Sequence, residues 1–141
     1  MGDMMPTKDE ANPKGRILVV DDEPFTLDLV KLTLATARFH VETAASGEDA
    51  LLLLEQATYD LMLLDVMMPV ISGFDVMRQQ QSNAASMPPV IILSAMGTSD
   101  AKQTAEELGA VGYLVKPIAR GALLDAVNAA LGISTDENPP H

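Results

Sequence analysis

The stretch that most constrains this chain is YDLMLLDVMMP, residues 59–69. Leu61 to Leu64 are four apolar residues with no polar residue between them. A strand with one wet face would alternate, so this run predicts a strand buried on both faces of a parallel sheet. It stops abruptly at Asp65. In open α/β sheets ligands sit beyond the carboxyl ends of the strands, which makes a carboxylate delivered there a candidate site residue. Alone, such an aspartate could equally cap the strand and open a turn. The other strand ends decide.

Ile17-Leu18-Val19-Val20 is a second run of this kind, and it ends at Asp21-Asp22. Asp22 can cap the helix that follows, with Pro24 in its first turn. The helix is expected to reach about Arg38, with Leu29, Val30, Leu34 and Ala37 on its buried stripe. His40 to Ala44 reads as a weaker strand. Ser46-Gly47-Glu48-Asp49 resembles a capping box, opening a helix that turns Ala50, Leu51 and Leu54 inward. After the Asp65 strand, Pro69 to Gly73 reads as a loop, and Phe74 and Met77 mark a helix to about Gln81. Val90 to Leu93 is another buried run, ending at Ser94. A helix from Asp100 to Leu108 is stopped by Gly109. Gly112 to Val115 is the last strand, ending at Lys116-Pro117, and Ala119 to Leu131 the last helix, with Leu123, Val127 and Leu131 inward. Five strands alternating with five helices predict one doubly wound α/β domain with a parallel five-stranded sheet, over residues 16–132. Residues 1–15 read as a flexible lead and 133–141 as a flexible tail.

Hydrophobic residues make up 48% of the 141, enough for a core of its own. No apolar run approaches the ~20 residues of a membrane span, and the polar N-terminus lacks the apolar segment of a signal peptide. With no cysteine there is neither a disulfide framework nor a thiolate metal site. These features lead us to expect a cytoplasmic protein. A net charge of −11 opposes binding to nucleic acid or to anionic membranes, so neither direct DNA contact nor membrane insertion is expected.

Parallel strands would bring Asp21, Asp22, Asp65, Ser94 and Lys116 to one edge of the sheet. Three carboxylates crowded there repel one another and call for a cation. Mg²⁺ suits them, since it takes one or two carboxylates, keeps waters and completes its shell with phosphoryl oxygens. A lysine and a hydroxyl supply the positive charge and the donor that a transferred phosphoryl group needs. His40 and His141 have no partner at useful spacing, and methionines 67 and 68 read as packing residues.

With this constellation the sequence resembles the receiver domains of two-component response regulators, which have a flavodoxin-like (βα)5 fold. The resemblance runs from Arg16 to Leu131. It rests on VVDDEP (19–24), DVMMP (65–69) with Gly73 eight residues beyond Asp65, LSA (93–95) and GAVGYLVKP (109–117) with Leu123 six residues after Pro117. It implies that Asp65 is the phosphoacceptor. It also implies that Asp22, Asp65 and the backbone carbonyl of Met67 bind Mg²⁺, with Asp21 acting through water. Ser94 would hydrogen-bond a phosphoryl oxygen, and Lys116 would pair with the carboxylate and then the phosphate. Ala95 would leave the pocket open, and Tyr113 would be the aromatic switch residue. The Lys116-Pro117 bond is often cis in such domains. Met67 and Met96, two residues beyond the acceptor and the hydroxyl, would flank the approach of a hydrolytic water and slow the loss of phosphate.

The implied function is a phospho-switch rather than an enzyme. Asp65 would take a phosphoryl group from a histidine kinase or histidine phosphotransfer protein. The face of helix four, strand five and helix five would then present the signal to an effector. An aspartyl-phosphate hydrolase of the haloacid-dehalogenase type usually needs an acid where Met67 stands, and a docking-only receiver would not need the intact acidic set. Asp100, Glu106, Glu107 and Asp125 stand against only Lys102 and Arg120 on the output face. A monomer is therefore expected before phosphorylation.

Overall fold

The computed structural model describes residues 14–82 and 87–133. The chain alternates strand and helix throughout: β1 (Arg16–Val20), α1 (Pro24–Thr36), β2 (His40–Ala44), α2 (Gly47–Gln56), β3 (Leu61–Asp65), α3 (Gly73–Gln81), β4 (Val90–Ser94), α4 (Ser99–Glu107), β5 (Gly112–Val115) and α5 (Arg120–Leu131). The strands form one parallel sheet in the order β2-β1-β3-β4-β5. This is the doubly wound, flavodoxin-like arrangement expected from the sequence.

The unalternating runs have a direct cause. Leu18, Val20, Met62, Leu64, Val90 and Ile92 point to one face, where Ala50, Leu54, Val76, Met77 and Ala105 of α2, α3 and α4 cover them. Ile17, Val19, Leu61, Leu63, Ile91 and Leu93 point to the other, under Val30 and Leu34 of α1 and Leu123 and Val127 of α5. Alternate residues of β1, β3 and β4 thus enter separate apolar cores, so neither face of these strands calls for polar side chains. The edge strand β2 is half-buried along most of its length, which is why its sequence signal is weaker.

Several local details depart from the sequence reading. Asp22 does not cap α1. Glu23 occupies that position without a side-chain cap, and its N–H donates to Asp21 Oδ1 at 2.9 Å. Leu29 is 46% exposed, and Leu27 packs against the core instead. Leucines at 27, 29, 32 and 34 wrap α1 on all sides, so periodicity alone does not choose among them. The helix ends at Thr36, because Arg38 turns left-handed (φ 77°) and Phe39 N–H bonds back to Leu34 O at 3.0 Å. Phe39 is thereby buried. Ser46 caps α2 by accepting from Asp49 N–H. The full reciprocal box lies at α3, between Ser72 and Asp75, where the sequence reading had only a loop. Helix α4 begins at Ser99 with Thr98 as its cap.

Most of the expected lead and tail falls outside the described residues. Within them, Lys14 N–H donates to Arg38 O, Gly15 O accepts from His40 N–H, and Ile133 N–H donates to Asn128 O. Among the described residues, no helix is long and apolar enough to cross a membrane.

At the amino ends of the strands, Glu42 gathers Arg16, His40 and Tyr59. Tyr59 OH donates to Glu42 Oε1 at 2.6 Å, the Arg16 guanidinium binds Oε2, and His40 Nε2 lies 3.1 Å from the same oxygen. His40 therefore does have a partner, two residues along its own strand. The Tyr59 and Arg16 bonds hold the Glu42 carboxyl down at about 2. A depressed carboxyl contributes stability above its unfolded value, near 4.3, that is lost as pH falls toward 2. Because the clasp is partly wet, Glu42→Gln is expected to cost only about 1 kcal/mol at pH 7. In urea melts that difference should close between about pH 4.5 and 2. A deficit that persists unchanged at pH 2.5 would exclude the carboxylate as its source.

Candidate functional site

The parallel register brings four strand ends to the same edge. Val20 lies beside Leu64, Asp65 beside Leu93, and Ser94 beside Val115. Asp21 and Asp22 follow β1 directly, Asp65 ends β3, Ser94 ends β4, and Lys116 follows β5 with a cis bond to Pro117. One oxygen from each of Asp21, Asp22 and Asp65 lies within 4.8 Å of the others. Asp21 and Ser94 are fully buried, Asp65 is 3% exposed, and Asp22 is exposed. Of the other candidate residues, Met67 and Met96 stand in the loops beside this edge, whereas Tyr113 lies within β5, beside Ile92.

Lys116 Nζ lies 2.6 Å from Asp21 Oδ2 and 3.6 Å from Asp65 Oδ1. The resemblance implied Asp65 as its partner; the shorter contact is to Asp21. Asp21 is the most deeply buried of the three acids, and an unpaired charge at that depth would be costly. Its other oxygen accepts the Glu23 N–H, so both of its oxygens are engaged. Asp65 Oδ1 accepts the Met67 N–H at 3.3 Å. Burial first, and then the charge of Asp21, push the Asp65 carboxyl up to about 6; Lys116 and the Met67 amide oppose this, and Asp22 adds to it. Burial works against the Lys116 ammonium, yet the hydrogen bond to Asp21 and the charge of Asp65 leave it raised.

A cavity of about 380 Å³ opens over these groups, walled by Asp22, Glu23, Pro24, Asp65, Met67, Ala95 and Lys116. Ala95 leaves it open, as expected. Met67 is not a packing residue: it is 57% exposed on the cavity wall, whereas Met68 is buried. The side chain of Met96 is half-buried against the core beneath α2, α3 and α4 and is absent from the wall. Its backbone is nonetheless central. Met96 N–H donates to Ser94 Oγ at 2.9 Å, and Met96 O accepts from Tyr113 OH at 2.6 Å. Lys102 Nζ stands 5.9 Å from the centre of the Tyr113 ring. The sequence reading missed Glu23, although the third acid of DDEP could have drawn attention to it.

The loop from Asp65 to α3 holds the cavity wall under strain. Ile71 N–H bonds Pro69 O at 2.8 Å around Val70, which has φ 70° and is 85% exposed. A three-residue turn of this hand is unfavourable, and more so for a β-branched residue. Val70→Gly is expected to raise stability by about 1 kcal/mol, since it relieves the turn and gives up almost no contact. A lower urea midpoint for that variant would show that the turn is not strained.

The response regulator receiver domain model matches residues 17–128. The probable transcriptional regulatory protein SilR of Salmonella typhimurium is 39% identical over 116 residues, covering 82% of this chain and 50% of that protein. The transcriptional regulatory protein CusR of Escherichia coli K12 is 37% identical over 116 residues, covering 82% and 51%. The chain thus spans about half the length of these curated relatives. Among solved structures, the chemotaxis protein CheY4 of Vibrio cholerae superimposes with a TM-score of 0.77 at 33% identity, covering 82% of this chain and 98% of that one. Sheet order, acidic edge and sequence agree, and the chain belongs to the response regulator receiver domains, the signalling switches of two-component systems.

Proposed function

We propose that this receiver is switched by phosphorylation of Asp65. The observation that carries the proposal is the buried Asp65 carboxylate, 3.6 Å from Lys116 and within 4.8 Å of two further carboxylates at a cavity mouth. A carboxyl pushed up to about 6 is still mostly ionised at neutral pH and more basic than a free aspartate, which suits a nucleophile. An Asp65 oxygen attacks the phosphorus of a phosphohistidine. The P–N bond breaks as the O–P bond forms, and the freed imidazole nitrogen takes up a proton. Lys116 stays beside the reacting oxygens, and Ser94 turns its hydroxyl from the Met96 amide to a phosphoryl oxygen. Tyr113, bonded to the Met96 carbonyl, follows that loop and alters the face of α4, β5 and α5.

Receiver domains generally bind Mg²⁺ in an acidic pocket, and an all-oxygen donor set fits that ion. Asp22, Asp65 and the Met67 carbonyl would hold it. Asp21, whose oxygens already serve Lys116 and the Glu23 amide, would act through water. When bound, the ion would neutralise charge developing on the phosphoryl oxygens. The donor is a sensor histidine kinase or a histidine phosphotransfer protein, in the cytoplasm. The reader is an effector protein or domain, and the unphosphorylated receiver is a monomer. Residues 16–132 form the switch. Of the two methionines, Met67 is the one whose side chain bears on phosphate lifetime.

The test is intact mass after incubation with acetyl phosphate and Mg²⁺. One added phosphate is expected, none with EDTA, and none for Asp65→Asn. Phosphate retained by Asp65→Asn would sink the assignment. Light scattering on the untreated protein should give a monomer mass.

A further inference from the structure

We propose that Met67 is an oxidation site through which peroxide-class oxidants shorten the life of the phosphoryl group on Asp65. The inference rests on the reading of Asp65 as the acceptor and adds a second input to the same pocket. The chain has no cysteine and nine methionines, so thioethers are its only oxidisable sulfur. Among the described residues these are unequally accessible. Met62 and Met77 are fully buried, Met68 is 7% exposed, and Met87 and Met96 pack half-buried against the core; Met67 is 57% exposed.

Position makes that exposure consequential. Met67 shares the cavity wall with Asp65, Asp22, Ala95 and Lys116. Its backbone is tied to the acceptor by the 3.3 Å bond from its N–H to Asp65 Oδ1, so the side chain stays beside the reacting carboxylate. In the oxidation a peroxide oxygen forms an S–O bond and the O–O bond breaks. The sulfur loses two electrons, and the peroxide leaves as water. The product replaces a poor acceptor with a polar, strongly accepting oxygen at the same point.

Hydrolysis of an aspartyl phosphate needs a water held in line with the breaking bond. A thioether at the rim shields that approach without orienting the water, whereas a sulfoxide oxygen can hold it by a hydrogen bond. Oxidation therefore turns a shield into a positioning group. The change is reversible by sulfoxide reductases, which can reach an exposed side chain.

The experiment treats the full chain with dilute hydrogen peroxide and maps sulfoxides by peptide mass spectrometry. The protein is then phosphorylated with acetyl phosphate and Mg²⁺, the donor is removed, and decay is followed by intact mass. The arms are reduced and oxidised wild type, Met67→Leu with and without peroxide, and untreated Met67→Gln, which carries a fixed amide oxygen. Sulfoxide should accumulate at Met67 ahead of Met87 and Met96. Oxidised wild type and Met67→Gln should lose phosphate several-fold faster than reduced wild type, and peroxide should not accelerate Met67→Leu. Unchanged decay in oxidised wild type, or equal acceleration of Met67→Leu, overturns the inference. A reduced wild type that takes up no phosphate refutes Asp65 as acceptor; uptake with unaltered decay refutes the role of Met67 alone.

Discussion

Asp65→Asn is expected to make the metal-free protein more stable at pH 7.5, by about 2 kcal/mol, and to lose that advantage at pH 4. The Asp65 carboxyl titrates near 6 in the folded chain and near 3.9 when unfolded. A raised carboxyl binds its proton more tightly when folded. Its stabilising contribution is complete below about pH 4 and disappears as pH rises through 6. Two units amount to about 3 kcal/mol, and solvent at the cavity mouth trims this to about 2. For a domain of this size that is roughly 8 °C in melting temperature. Asparagine keeps the shape and removes the charge. Asp22 is exposed, so Asp22→Ala should give only a small gain. Asp21→Ala should have the opposite sign, costing roughly 3 kcal/mol, because the part-buried Lys116 would lose its 2.6 Å partner. Mg²⁺ should raise the melting temperature of the wild type more than that of Asp65→Asn. Thermal melts in EDTA at pH 4 and 7.5, repeated with excess Mg²⁺ at pH 7.5, check all of this. An Asp65→Asn variant less stable than wild type at pH 7.5 would contradict the crowded-carboxylate account.

The contrast between Asp21 and Asp65 was not legible in the sequence, although both positions were. That the acids meet at one edge follows from chain order and parallel pairing. The runs of β1, β3 and β4 carry that information in four residues each, since only a strand covered on both faces drops its polar alternation. Which acid holds Lys116 depends on relative burial and on side-chain reach across 95 residues of sequence, and neither leaves a local pattern. The same holds for Tyr113, whose hydroxyl finds a backbone carbonyl 17 residues away. Met67 and Met96 are alike in sequence spacing, yet one lines the cavity and the other joins the core. Leu29 failed for a different reason: α1 has more leucines than its buried stripe can use, so Phe25 and Leu32 are also left exposed. The Ser72 box escaped notice although Ser46 and Asp49 show the same serine-to-aspartate spacing, because residues 69–73 read as one loop and the start of α3 was set by Phe74.

Gly73→Ala is expected to be among the most damaging single substitutions in the chain, costing at least ~3 kcal/mol, because the clash falls on backbone with no side chain free to yield. A Cβ at Gly73 would lie 2.2 Å from the Asp65 carbonyl oxygen, 2.9 Å from its carbon and 3.0 Å from Val66 Cα. The Gly73 N–H also bonds Val66 O at 3.0 Å, so α3 begins pressed against the end of β3. This gives a physical reason for glycine eight residues beyond Asp65. The helix that closes the loop must start where the acceptor strand stops. Relief requires α3 to lift or the end of β3 to shift, and the second movement carries the Asp65 carboxylate away from Lys116. The variant should therefore show a much lower urea midpoint with little change in slope. Whatever fraction remains folded should also take up phosphate from acetyl phosphate more slowly. Gly121→Ala is the matched control, a glycine in α5 with nothing within 4 Å of its would-be Cβ. It should gain about 0.5–1 kcal/mol from helix propensity and leave phosphate uptake unchanged. If Gly73→Ala unfolds at the wild-type urea midpoint, β3 and α3 are not in the backbone contact that defines this end of the site.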